Sequence, residues 1–77
     1  MNAIAELFSD KEACFSEIRN IRDTIGTAGV TQAAFDAANK SLGFMYLHCP
    51  QEISHIVLAQ MNELTRRETM LILAGKL

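Results

Sequence analysis

The stretch CFSEIRNIRDTI, residues 14–25, places Cys14, Ile18, Ile21 and Ile25 at successive steps of four, three and four. That spacing lines one face of an α-helix with apolar side chains. Gly26-Thr27-Ala28-Gly29 follows and stops the helix, because glycine takes up the left-handed terminating conformation without a Cβ penalty. Towards the N-terminus the ladder continues through Leu7 to Ile4, interrupted only by Lys11. Ser9-Asp10-Lys11-Glu12 reads as a Ser-x-x-Glu capping box, so a helix restarting at Ser9 would hold Lys11 in a solvated first turn. The first helical segment is therefore expected over about residues 2–25, with a kink or break at Ser9.

Downstream, Thr31 is the expected N-cap of a second helix over residues 32–48, with the strip Phe35, Ala38, Leu42, Met45, Cys49 as its buried face. Ala33, Ala34, Ala37 and Ala38 make this helix thin, and Asp36 and Lys40 stand at favourable i, i+4 spacing. Gly43 either admits a close neighbour or marks a bend. Pro50 blocks continuation and suits the first position of a third helix, expected over residues 50–74, with Glu52 at N3 and Glu63 placed to pair with Arg66 or Arg67. Its strip is Ile53, Val57, Met61, Leu64, Leu71, and Met70 to Ala74 is apolar without interruption. These elements predict one all-α domain over residues 1–77. Its expected form is a small three-helix bundle, a helical hairpin with a third helix packed across it, assembled as a dimer.

The expectation of a dimer comes from the size of the core against the supply of apolar residues. A chain of 77 residues buries only about 60 to 65 per cent of its unfolded surface, yet 49% of its residues are hydrophobic. Domains this small gain their margin from disulfides, metals or oligomerisation. Two cysteines allow one bridge at most, and the start of the chain has no basic n-region, so reduced thiols in a cytoplasmic protein are expected. The longest apolar run is far short of a membrane span. The net charge of −2, with no block of like charge, draws the chain to neither nucleic acid nor membrane.

Candidate chemistry is sparse. His48, Cys49 and His55 cluster at Pro50, but paired zinc-ligand spacings are missing, and no metal or cofactor is expected. Cys49 read as the N-cap of the third helix would have its thiolate stabilised by the dipole, which makes a thiol sensor one alternative. A second alternative is a dimeric DNA-binding regulator. Val30-Thr31-Gln32-Ala33-Ala34-Phe35 has the flavour of the first helix of a helix-turn-helix, although the segment after Gly43 is too apolar to read bases and Arg66-Arg67 is the only cation pair. Paired carboxylates, an oriented nucleophile and a phosphate loop are all missing, so no enzyme activity is expected. The leading expectation is a cytoplasmic adaptor, chaperone or inhibitor that self-associates and binds another protein. Its interface residues would be Phe44, Leu47, Met70, Leu73 and Leu77, with Arg66 and Arg67 as a polar rim.

Overall fold

In the computed structural model, which describes residues 3–77 and side chains from Glu6 onward, the chain forms helices α1 (Ala3–Phe8), α2 (Lys11–Ile25), α3 (Gln32–His48) and α4 (Ser54–Leu73). A 3₁₀ turn over Gln51–Ile53 leads into α4. Among the described residues there is no strand, and no helix is long and apolar enough to cross a membrane. The fold is all-α.

The break near Ser9 is a full corner, and its chemistry differs from a capping box. Asp10 is the N-cap of α2, with its carboxylate accepting from the Glu12 N–H at 3.2 Å. The Ser9 hydroxyl instead donates to the Glu6 carbonyl at 2.6 Å and closes α1. Lys11 is thereby the first residue of α2, where its ammonium reaches the Glu52 carboxylate at 3.4 Å. The corner also shifts the register of the ladder. Leu7 is exposed and Phe8 is buried, while the Ile4 side chain lies outside the described residues. The Cys14 thiol donates to the Phe8 carbonyl at 3.1 Å and ties α1 to the first turns of α2.

Gly26 ends α2 in a right-handed conformation, and the left-handed residue of this turn is Gly29, at φ 79°. Thr31 caps α3 as the sequence predicts, accepting from the Ala34 N–H at 3.2 Å. Asp36 accepts from the Gln32 side chain at 3.3 Å, rather than pairing with Lys40. Helix α3 runs through Gly43 unbroken, and a Cβ there would meet nothing within 4 Å, so neither a close neighbour nor a bend explains this glycine.

The third expected helix starts later than Pro50. Cys49 takes an extended conformation, as residues before proline do, and its N–H closes α3 on the Met45 carbonyl at 2.7 Å. Pro50 precedes the 3₁₀ turn, and α-helical geometry begins at Ser54. At the far end Gly75 has φ 73°, and the Gly75 and Lys76 N–H groups bond the Ile72 and Leu71 carbonyls at 3.0 and 2.8 Å. This is the six-to-one and five-to-two pattern of a Schellman stop. It turns the chain back, so Leu77 packs against the core beside Leu71 instead of following Met70 and Leu73 outward.

Helix α3 is the hub. Helices α1, α2 and α4 all pack on it, and its face of Phe35, Ala38, Leu42 and Met45 is buried. From α2 come Cys14, Ile18, Ile21 and Ile25, and from the α4 side Ile53, Val57 and Leu64. Helix α4 is antiparallel to α3, since Gln32 at the start of α3 hydrogen-bonds Glu68 late in α4. The Lys11–Glu52 pair joins the starts of α2 and of the α4 arm, so these two run the same way. The molecule measures 40 × 22 × 17 Å and exposes 5150 Å², against about 4,650 Å² for a compact monomer of this mass.

Opposite responses to alanine are expected at two of the glycines. Gly43→Ala should raise stability by up to about 1 kcal/mol, because the helix gains propensity and the new methyl meets open space. Gly75→Ala should lower it by about 1 kcal/mol, because an L side chain is strained at that φ. Urea unfolding followed by circular dichroism reads both, and a loss of stability in Gly43→Ala would contradict the placement of that residue.

Candidate functional site

Helices α2 and α4 both rest on α3 but stand apart from one another, and the space between them is an open groove of ≈ 720 Å³. Two series of helical spacing build its walls. Phe15, Arg19 and Arg22 on α2 with Gly26 at its C-cap, and Ile56, Gln60, Glu63 and Arg67 on α4, each step by four, three and four. Each therefore runs as one stripe along its helix, immediately beside the stripe that faces α3. The floor is apolar: Ile18, Ile21, Ile25, Leu42 and Leu64. From the first wall residue to the last is eleven residues, which at helical rise makes the groove about 16 Å long, or three turns.

The groove has a charged rim of uneven sign. Its lining holds three arginines, Arg19, Arg22 and Arg67, against Asp23 and Glu63. Glu63 is already engaged: the Arg66 guanidinium donates to it from Nη2 at 3.0 Å and from Nε at 3.3 Å. That hydrogen bonding holds the Glu63 carboxyl below the usual carboxylate range, with the positive fields of Arg66, Arg67 and Arg22 acting in the same direction. The field of Arg22 acts on Glu63 from the opposite wall, as expected for two parallel helices in register. Among the described residues Arg19, Arg22 and Arg67 make no salt bridge.

The interface residues expected from sequence do not form one patch. Leu47 is 73% exposed and Leu73 82%, and Phe44 and Met70 are exposed as well. Because α3 and α4 are antiparallel, Phe44 and Leu47 lie at one end of the hairpin, and Met70 and Leu73 at the other. Leu77 is half-buried and packed on the core. Arg66 and Arg67 face different sides: Arg66 pairs with Glu63 and sets Nη1 3.8 Å from the Met70 sulfur, whereas Arg67 lines the groove. Exposed apolar side chains also occur at Leu7, Tyr46, Leu58 and Ile72.

Sequence reasoning missed Phe15, Arg19, Arg22, Ile56 and Gln60. Their signal was present as a second stripe of the same period beside each core stripe. It looked like the ordinary border of an amphipathic helix, and only the parallel placement of α2 and α4 turns the two borders into facing walls.

The thiol alternative loses its geometry. Cys49 ends α3 rather than starting α4, and its thiol donates to the Tyr46 carbonyl at 3.8 Å, within the helix it closes. Cys14 is fully buried, and burial pushes its thiol above the ordinary range, with the nearby Cys49 and Asp10 adding to the rise. Among the described residues no three His, Cys, Asp or Glu side chains converge as a metal site would require. The uninterrupted α3 also lacks the turn that would follow the first helix of a helix-turn-helix. No family model matches the chain, and neither does any curated protein or solved structure.

The two thiols should react with a disulfide reagent in two phases. Half-buried Cys49 reacts first, and Cys14 reacts only as the protein opens. A raised folded pKa means the unfolded chain loses the Cys14 proton first, so stability is fully present below about pH 8.5 and falls as pH rises beyond it. Unfolding measured from pH 7 to 10 should show a steeper alkaline loss in the native protein than in Cys14→Ala. Equal slopes would contradict the burial of that thiol.

Proposed function

We propose that this chain is a non-enzymatic protein-interaction module that self-associates and binds another protein through its helix faces, in the manner of a small adaptor, chaperone or inhibitor. The observation that carries this reading is the apolar surface that the fold leaves uncovered. Leu47 and Leu73 are its two most exposed large side chains, at 73% and 82%. Leu47 stands beside exposed Phe44 and Leu73 beside exposed Met70 and Ile72, so each end of the hairpin offers an uncovered apolar cluster to a partner.

The antiparallel hairpin gives this surface a self-complementary layout. A two-fold axis crossing the hairpin sets the Phe44–Leu47 end of one copy against the Met70–Leu73 end of the other, and the reverse contact follows by symmetry. Such isologous pairs are the commonest closed assembly. In the dimer the arginines of the α2–α4 groove remain free to meet a different partner. No observation favours DNA: Arg66 is tied to Glu63, and Arg67 stands in a groove with an apolar floor.

Light scattering over a dilution series tests self-association. The protein is expected to pass from dimer to monomer as it is diluted, with little dependence on added salt, whereas phosphate-driven DNA binding would weaken steeply. Leu73→Glu should abolish the dimer while changing folding stability by no more than about 0.5 kcal/mol, since the side chain has few contacts to lose. A monomer at every concentration, unaffected by Leu73→Glu, would contradict the proposal.

A further inference from the structure

We infer that the α2–α4 groove receives a helix from a different protein, three turns long, whose apolar stripe is flanked by carboxylates. This deepens the protein-binding reading above and rests on it. Length, floor and rim each narrow the occupant. The walls run parallel for about 16 Å, which accepts a helix of about eleven residues lying along them. Half-buried Phe15 and Ile56 at the walls, above a floor of Ile18, Ile21, Ile25, Leu42 and Leu64 that offers no polar side chain, suit an apolar stripe on the incoming helix. The rim collects three of the chain's seven basic residues, although the chain as a whole carries −2. Asp23 and Glu63 share the lining, but Glu63 is taken by Arg66 and none of the three arginines has a salt-bridge partner among the described residues, so the rim favours carboxylates on the occupant.

The same charges argue against a second copy in this groove. The exposed apolar stripe of α3 is Ala33, Ala37, Lys40, Phe44, Leu47, and Lys40 at its centre would face the arginine rim. At the end of α4, Met70 and Leu73 are accompanied by Arg66 and Lys76. Helix α2 bears acids outside the groove, Glu12 and Glu17, yet none of the exposed large hydrophobics lies on that helix. Helix α1 has six residues, too few for three turns. No helix of this chain therefore combines a free apolar stripe with acidic flanks.

The probe is a pair of fluorescein-labelled helical peptides of about 14 residues, with leucines at the i, i+4, i+7, i+11 positions and either glutamates or lysines beside them. Fluorescence anisotropy against the full chain is expected to show saturable binding of the glutamate peptide. It should bind about tenfold tighter than the lysine peptide, a preference that shrinks when salt rises from about 0.05 to about 0.5 M. The double variant Arg19→Glu/Arg22→Glu, with helicity checked by circular dichroism, should reverse the preference. Equal binding of the two peptides, binding of neither, or an unchanged preference in the variant overturns the inference. If Arg19→Glu/Arg22→Glu instead abolishes the dimer seen by light scattering, the groove belongs to a second copy and the inference is equally overturned. When neither peptide binds but the dimer persists on the Leu47 and Leu73 surfaces, the groove assignment fails alone. Loss of both removes the broader reading as well.

Discussion

One narrow face of α3 has to serve three neighbours. Phe35, Ala38, Leu42 and Met45 are buried against α1, α2 and α4 together, and these four side chains hold the rest of the chain in place. Because α2 and α4 both need this face, they lie side by side on it, and none of the described helices closes the gap above them. The groove, its parallel walls and its apolar floor all follow from that shortage. Leu42 illustrates the double duty: it is almost fully buried, yet it also forms part of the groove floor. Truncation at such a site removes core packing as well as groove, so Leu42→Ala carries the usual core cost of about 2 to 5 kcal/mol.

The fold class and most of the buried face were legible in the sequence, because periodicity and caps are local. Thr31, the α3 strip from Phe35 to Met45, and the end of that helix before Pro50 all rest on signals within a few residues. Errors arose where two local devices competed. Ser9 and Asp10 are both good N-caps, and Asp10 prevailed because the Ser9 hydroxyl closes α1 on the Glu6 carbonyl. Leu7 and Phe8 then exchanged places, since one residue of helix turns a side chain through about 100°. Gly75 was the readable signal that went unused: a glycine just past an apolar run announces a helix stop and brings Leu77 home.

The layout of the exposed apolar residues was legible only in part, for a physical reason. Surplus apolar residues can be counted from sequence, but whether they share a face depends on helix direction. The antiparallel α3–α4 pair puts Leu47 and Leu73 at opposite ends, where a two-fold partner can join them. The parallel α2–α4 pair brings Phe15, Arg19 and Arg22 opposite Ile56, Gln60 and Glu63. Neither relation is encoded within any one helix. Charge then distinguishes the two surfaces, one flanked by Lys40 and Arg66 and suited to apolar self-contact, the other rimmed by unpaired arginines and suited to an acidic helix.

An acidic helix can enter only if the groove is open in the isolated chain. Solvent paramagnetic relaxation of methyl signals in dilute protein, with a soluble nitroxide as the probe, measures this side chain by side chain. The Ile56 methyls should be attenuated at a level between those of exposed Leu73 and fully buried Val57. An Ile56 signal as protected as that of Val57 would mean that α2 and α4 close on one another, and the account would be wrong.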